Sequence, residues 1–287
     1  MDRKLRREKQ VTPLVLSIFP GIDLLGRAFD EAGFCVVRGP DLVWGGDIRS
    51  FDVPRGRFDG IIGGSPCQDF SCARRAEPTG YGLEMLYEFA RVADQSQCRW
   101  WLLENVPQVP DVSVSGYIVQ RFDLRGTEVG LKQRRLRHFQ FGSKDGRPLV
   151  IDRADARGEV ERACMASETR GGQKKREWAK FCALMGLPAP LDLPGFKVHA
   201  RYEAVGNGVP LPMGRVIALA IGRWLSGRDR RRVCVCGCGR VCDTPRLHAL
   251  VSCRKRMQRR RDAVTELGHA QPAESPGQEA PPLLAVG

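Results

Sequence analysis

The sequence predicts an α/β protein built on a doubly wound, mostly parallel sheet, with a small irregular insertion and a small Cys-rich module behind it. Three observations carry that expectation. Short apolar runs alternate with stretches of helical spacing through the first half of the chain. Turn residues close several of the runs, as at Pro20-Gly21 and Gly63-Gly64. Chemically distinctive residues, Asp41, Cys67 and Glu104-Asn105, follow the runs at the place where the ligand crevice of an open α/β sheet lies.

The elements follow in order. Leu14 to Phe19 is apolar throughout and reads as a buried strand. Leu24 to Ala32 has helical spacing and stops at Gly33. Phe34 to Val37, Phe58 to Ile62 and Trp100 to Leu103 are the next three strands, and Tyr117 to Leu124 and His138 to Gly142 are two more. From Ser143 to Lys175 the pattern fades into polar, Gly- and Arg-rich sequence. Helical spacing returns at Glu177 to Met185, Gly206 to Pro210 reads as a turn, and Met213 to Leu225 as a helix. The divisions expected are a core over 1–142, an insertion over 143–175, supporting helices over 176–226, a basic Cys-rich module over 227–262 and a Pro-, Ala- and Glu-rich disordered tail over 263–287.

The chain has 287 residues, 42% of them hydrophobic, which suits a globular core. Its formal net charge of +13 favours a polyanionic partner, of which nucleic acid is the commonest. No apolar run approaches the roughly 20 residues of a membrane span, and the basic Met1 to Gln10 has no apolar stretch behind it, so a cytosolic setting is expected. Eleven cysteines in that setting are thiols or metal ligands before they are disulfides, and five of them crowd into Cys234 to Cys253.

Two segments can carry chemistry. In Gly63-Gly-Ser-Pro-Cys67 a cysteine sits in a glycine- and proline-shaped loop after a strand. That exposure suits a nucleophile, and it equally suits a small apolar residue in a turn. In Leu102-Leu-Glu-Asn-Val106 a carboxylate ends a very apolar strand. Burial would raise its proton affinity and let it hold or donate a proton, and capping of the following segment is the other reading.

The chain resembles the cytosine-C5 DNA methyltransferases, in the family's own order, from about Leu14 to Leu225. Phe19-Pro-Gly-Ile-Asp23 resembles the first cofactor loop and Gly46-Asp-Ile48 a later cofactor motif. Pro66-Cys-Gln68 resembles the nucleophile motif, Glu104-Asn-Val106 the cytosine-binding motif and Gln133-Arg-Arg-Leu-Arg137 the Gln-x-Arg-x-Arg motif. Arg176-Glu177 through Pro188 resembles the segment that supports target recognition, and Gly206-Asn-Gly-Val209 the last cofactor motif. Each short match is weak, and their joint occurrence in order is strong.

The resemblance implies a Rossmann-like, S-adenosylmethionine-dependent methyltransferase fold and methyl transfer to C5 of cytosine in double-stranded DNA, with a flipped base. It implies Cys67 as the nucleophile, Glu104 as the proton donor, and Arg137 with Arg135 on the base. It implies a cofactor site made by Phe19, Gly21, Ile22, Asp41, Asp47, Ile48, Asn207 and Val209. Two residues depart from the family pattern: Asp23 stands where a second glycine is usual, and Asp41 follows Gly39-Pro40 where the ribose acid is usually Glu. The loop carrying Arg74-Arg75 would close over the base. The insertion is short for the family, which implies a short or relaxed target sequence, and Arg147, Arg153, Arg157, Arg162 and Arg170 are its candidate DNA contacts.

The cysteine cluster, with its closely paired thiols and glycine turn, resembles a small zinc ribbon. The expected ligands of a structural zinc are Cys236, Cys238, His248 and Cys253, with Cys234 and Cys242 in reserve. The basic run from Arg254 to Arg261 would form a helix on DNA phosphate. A monomer associated with the nucleoid is expected. The rival readings are a transfer-RNA methyltransferase of the same fold and a DNA-binding protein with a degenerate core. A Rossmann-type oxidoreductase is disfavoured, because no Gly-x-Gly-x-x-Gly turn follows the first strand.

Overall fold

The computed structural model describes residues 12–71, 76–169, 175–229, 231–242, 248–255 and 257–258. The chain divides into two compact units, Met1–Ala249 and Leu250–Gly287. In the second unit, residues 251–255 and 257–258 are helical, and the Cys253 N–H donates to the Leu250 carbonyl at 3.0 Å. The unit boundary falls inside the module expected over 227–262. The expected tail and most of the basic run after Lys255 lie outside the described residues.

The first unit is a six-stranded sheet in the order β2-β1-β3-β4-β6-β5. The strands are β1 (Leu14–Ile18), β2 (Cys35–Arg38), β3 (Gly60–Gly64), β4 (Trp100–Asn105), β5 (Ile118–Arg125) and β6 (Leu136–Ser143). β2, β1, β3 and β4 are mutually parallel, and β6 runs antiparallel between β4 and β5. All six strands lie where the apolar runs of the sequence place them. The runs are continuous rather than alternating because both faces of the sheet are covered. Successive residues of β4 show this: Trp100 and Leu102 join one core with Phe29 of α1 (Leu24–Glu31) and Ile217 of α5 (Leu211–Leu225). Trp101 and Leu103 join the opposite core with Met85, Phe89 and Val92 of α2 (Tyr81–Ser96). A third cluster packs α3 (Trp178–Leu184) and α4 (Val198–Asn207) against Leu24 and Leu211.

Two helices escape the sequence reading. Helix α2 buries Met85, Leu86, Phe89, Val92 and Ala93, a helical period hidden among charged residues. The segment read as a turn at Gly206 is the last turn of α4, which continues to Asn207. Gly206 is needed there for closeness: a Cβ would lie 2.6 Å from the Ala166 backbone nitrogen. Val198–Leu225 is long and apolar enough in composition to cross a membrane. The stretch breaks between α4 and α5 at Gly208 to Pro210, and α5 buries Met213, Ile217, Ile221 and Trp224 in the protein core.

Glycines let tryptophan rings lie flat on the sheet. A Cβ on Gly60 would fall 2.1 Å from the Trp100 ring, and one on Gly142 would fall 2.1 Å from the Trp101 ring. Gly142→Ala should therefore lower unfolding free energy by about 1–3 kcal/mol through overpacking. Urea unfolding followed by circular dichroism measures this, and an unchanged midpoint would show that the ring swings clear.

Candidate active site

The carboxyl ends of β1, β3 and β4 open into one cavity of about 460 Å³, closed on its far side by α4 and the turn into α5. Phe19, Gly21, Ile22, Asp41, Asp47, Ile48, Asn207 and Val209 all line it, together with Cys67, Glu104 and Arg137. Its volume is in the range of small-molecule sites.

The loop after β1 is wound tightly. Phe19, Gly21 and Asp23 have φ of 53°, 54° and 59°, a left-handed conformation that non-glycine residues rarely hold. Buried Asp23 explains why it can stand in a glycine's place. Its carboxylate accepts from the Ser17 hydroxyl at 2.9 Å, the Gly26 N–H at 3.0 Å and the Arg38 Nε at 3.0 Å, so it caps α1 and pins the loop to β1 and β2. Both backbone groups of Gly21 are held as well. Its N–H donates to Asp41 Oδ2 at 2.7 Å, and its carbonyl accepts from Trp44 Nε1 at 2.6 Å. Asp41 also accepts from the Val43 N–H at 2.8 Å, and Asp47 caps the next short turn through the Arg49 N–H at 3.0 Å. The side chain of Arg49 returns to Asp47 and lowers its proton affinity.

Cys67 is half-buried and stands at the start of a 3-10 turn over Gln68–Phe70, with φ −104° and ψ 1°. The loop that carries it is tied to β4 by Asn105, whose Nδ2 donates to the Ser65 carbonyl at 3.1 Å and the Ser65 hydroxyl at 2.9 Å. Beyond the cysteine, Asp69 accepts from the Thr79 and Gly82 N–H groups at 3.0 and 2.8 Å, which draws the two ends of the following loop together. The middle of that loop, including Arg74-Arg75, lies outside the described residues.

Glu104 ends β4 directly beside Gly64 in the register, and a Cβ on Gly64 would lie 3.0 Å from its Oε2. It is buried, and Arg137 Nε from the neighbouring β6 pairs with its Oε1 at 2.7 Å. Burial pushes the Glu104 carboxyl above the usual carboxylate range, against the opposing pull of Arg137 and Arg135. The Cys67 thiol is also raised, first by burial and then by the negative charge of Glu104.

Gln133, Arg135 and Arg137 alternate along one chain segment. The structure sends the three side chains to three different places. Gln133 joins the α3 end, its Nε2 donating to the Leu184 carbonyl at 2.6 Å, and accepts from the Cys164 N–H at 2.9 Å. Arg135 does not line the cavity. It is buried behind the wall and donates to the carbonyls of Cys164, of Gly206 at 2.6 Å and of Gly208 at 3.1 Å. The Gly206 and Gly208 carbonyls flank Asn207, so Arg135 holds that wall of the cavity in shape and its guanidinium is committed to the backbone.

The arginines of the insertion are also committed. Arg147 stacks on Trp224 and pairs with Asp145, Arg153 pairs with Glu128 at 2.7 Å, and Arg162 pairs with Glu168 at 2.8 Å. A segment without helix or strand is held by such pairs; Arg147, Arg157 and Arg162 are exposed, and Arg170 lies outside the described residues. In the Cys-rich segment the Sγ atoms of Cys234, Cys236 and Cys238 lie within 4.8 Å of one another. His248 is not in that group, and its Nδ1 is buried without a hydrogen-bond partner. Cys242 lies at the base of the same segment, its N–H on the Arg232 carbonyl at 2.9 Å, and Cys253 belongs to the second unit.

Known proteins resemble this chain in sequence and in fold. Residues 43–163, which include Cys67, Glu104 and Arg137, match the model of the C-5 cytosine-specific DNA methylase family. A Type II methyltransferase of Haemophilus influenzae, M.HindV, is 33% identical over 64 residues, 22% of this chain and 21% of that protein. A Type II methyltransferase of Fusobacterium nucleatum, M.FnuDI, is 28% identical over 162 residues, 48% of this chain and 45% of that protein. The chain thus spans less than half the length of either relative. Among solved structures, a protein described as a DNA modification methyltransferase of an E. coli prophage superposes with a TM-score of 0.51 at 15% identity, over 75% of this chain and 100% of that one. Spodoptera frugiperda DNMT2 gives 0.52 at 13% identity over 73% and 100%, and Entamoeba histolytica EhMeth 0.55 at 10% over 76% and 99%. These superpositions establish the fold.

The coupling of Cys67 to Glu104 has a measurable sign. A carboxylate disfavours a nearby thiolate, so Glu104→Gln lowers the proton affinity of Cys67 and enlarges the thiolate fraction at any pH below its pKa. Iodoacetamide labelling of Cys67, read by peptide mass spectrometry at fixed pH, should be faster in Glu104→Gln than in the parent. Equal rates would mean that Glu104 is already neutral at that pH.

Proposed function

We propose that the chain is a C5 cytosine-specific methylase, which transfers a methyl group to C5 of cytosine in double-stranded DNA with Cys67 as the covalent nucleophile. The observation that carries this reading is the meeting of Cys67, Glu104 and Arg137 in one cavity with the left-handed loop Phe19–Asp23. The family description, the Type II methyltransferase relatives and the net charge of +13 support DNA as the substrate.

The residues divide the work as follows. The target cytosine leaves the stack to reach the cavity. The Cys67 thiolate forms a bond to C6. The C5–C6 π electrons move through the ring to N3, which takes the Glu104 proton, so no charge accumulates on the base. Arg137, 2.7 Å from Glu104, stabilises the carboxylate left behind and contacts the O2 oxygen of the base. S-adenosylmethionine, when bound, supplies an electrophilic methyl group, which the enamine carbon C5 accepts. Water takes the C5 proton, the C5–C6 double bond reforms, the S–C6 bond breaks and the N3 proton returns to Glu104. The net change is a methyl group gained and one proton released.

The cavity suits that cofactor through its volume and its lining. Gly21 would let the backbone approach the amino-acid end, Phe19 would pack on the adenosine, and Asp41 would address the ribose. Asp47 and Ile48 would address the adenine, and Asn207 and Val209 would close the site. Arg135 is assigned as a positioning residue for that wall. The three clustered thiols would hold a structural zinc, and the sequence offers Cys253 and His248 for the fourth tetrahedral position. The short insertion reads a short or relaxed target.

Labelled methyl transfer to duplex DNA, followed by bisulfite sequencing, tests the reaction and shows the target. Cys67→Ser should abolish transfer while cofactor binding persists, and Glu104→Gln should lower kcat by about 10²–10⁴-fold. Transfer to transfer RNA and none to DNA would overturn the substrate assignment.

A further inference from the structure

The Cys-rich segment is built into the base of the insertion. Residues 232–242 form a small hairpin: the Cys234 N–H donates to the Arg240 carbonyl at 2.8 Å, the Cys242 N–H to the Arg232 carbonyl at 2.9 Å, and Val233 bridges Val241. The hairpin tip carries Cys234, Cys236 and Cys238, all buried, with Gly237 and Gly239 at φ of 80° and 73°. Both glycines are required by their turns, and Gly239 also by closeness, since a Cβ there would lie 2.9 Å from Ile151.

Three successive carbonyls of this tip hold another part of the protein. Gly237 accepts from Gln120 Nε2 at 2.9 Å, Cys238 from the Arg153 guanidinium at 3.0 Å, and Gly239 from the Ile151 N–H at 2.9 Å. Gln120 lies on the edge strand β5 and also brackets Leu149, accepting from its N–H at 2.6 Å and donating to its carbonyl at 3.0 Å. Arg240 pairs with Glu128, which Arg153 also meets at 2.7 Å. From there the insertion continues along residues 127–134, with the Ala154 N–H on the Glu128 carbonyl at 2.8 Å and the Arg134 N–H on the Glu161 carbonyl at 2.9 Å. Between these anchors, Asp155, Arg157, Gly158 and Glu159 are exposed.

We propose that a soft divalent cation of the zinc class, bound by Cys234, Cys236 and Cys238, fixes the recognition segment 149–162 for DNA, so that metal occupancy governs DNA engagement and leaves the methyl-transfer cavity intact. The inference rests on the DNA and zinc readings above. Three adjacent buried thiols without a metal have only weak donors and acceptors to offer one another. Metal binding replaces their protons, which pass to solvent, with strong metal–sulfur bonds. The tip backbone then keeps the shape that presents its carbonyls to Gln120, Ile151 and Arg153. None of the three cysteines lines the cavity.

The test uses the full chain. Metal content by plasma mass spectrometry, cofactor affinity by calorimetry and duplex affinity by fluorescence anisotropy are measured on the protein as purified, after thiol-displacing chelation, and after zinc is restored. About one zinc per chain is expected. Chelation should weaken duplex binding by about ten-fold or more with cofactor affinity unchanged, and added zinc should restore it. Gln120→Ala should keep its zinc and show the same loss of duplex affinity. Cys238→Ser should lose both, with no rescue by zinc, and its retained cofactor binding shows that the core is folded. Absence of metal from the purified protein overturns the zinc reading itself. Zinc present, with duplex affinity indifferent to its removal and to Gln120→Ala, overturns the coupling alone. Failure of the zinc-loaded protein to bind any duplex overturns the DNA reading.

Discussion

A carboxylate buried at the end of the central strand sets the terms for the site around it. Glu104 is nearly inaccessible to solvent, and a buried charge without a partner is costly, about 3–5 kcal/mol when one member of such a pair is removed. Arg137 meets it from β6, and β6 can do so because it runs antiparallel beside β4 with Glu104 opposite Phe139. The neighbouring strand gives way to it at Gly64, where a side chain would press on the carboxylate. The adjacent residue, Asn105, carries the same constraint sideways by holding Ser65, and with it the loop that presents Cys67. Acid, guanidinium and thiol are thus organised from two consecutive strand residues.

The balance of charge in this group has a chemical consequence. Burial favours the neutral forms of both Cys67 and Glu104, while Arg137 favours their ionised forms. The negative charge of Glu104 also opposes the Cys67 thiolate. Arg135 adds positive potential from behind the wall while its hydrogen bonds are committed to the backbone.

The insertion is held to the core by polar contacts rather than by secondary structure. Arg153 and Arg162 pair with acids, Gln120 brackets Leu149, and Arg147 stacks on Trp224. Surface pairs of this kind are individually weak, and they gain from being networked and partly buried. That explains why a hairpin from far along the chain is stitched into the base of this segment.

The sequence by itself determined the strands and the order of the chemical groups along them. Apolar runs such as Leu14–Ile18 and Trp100–Leu103, covered on both faces, admit few other structures; Cys67 follows β3 and Glu104 lies near the end of β4. Helix α2 was present in its spacing as well, under charged residues that obscure the period. Tertiary structure alone decided what the alternating Gln133, Arg135 and Arg137 do, because their partners at Leu184, Gly206 and Glu104 are distant in sequence. It likewise decided that Asp23 is a cap in a left-handed loop, since that depends on Ser17 and Arg38 arriving together. It brought Cys234 in beside Cys236 and Cys238, where spacing had favoured His248. Local periodicity reports which face of a segment is buried, and the partner found there depends on contacts that only the folded chain makes.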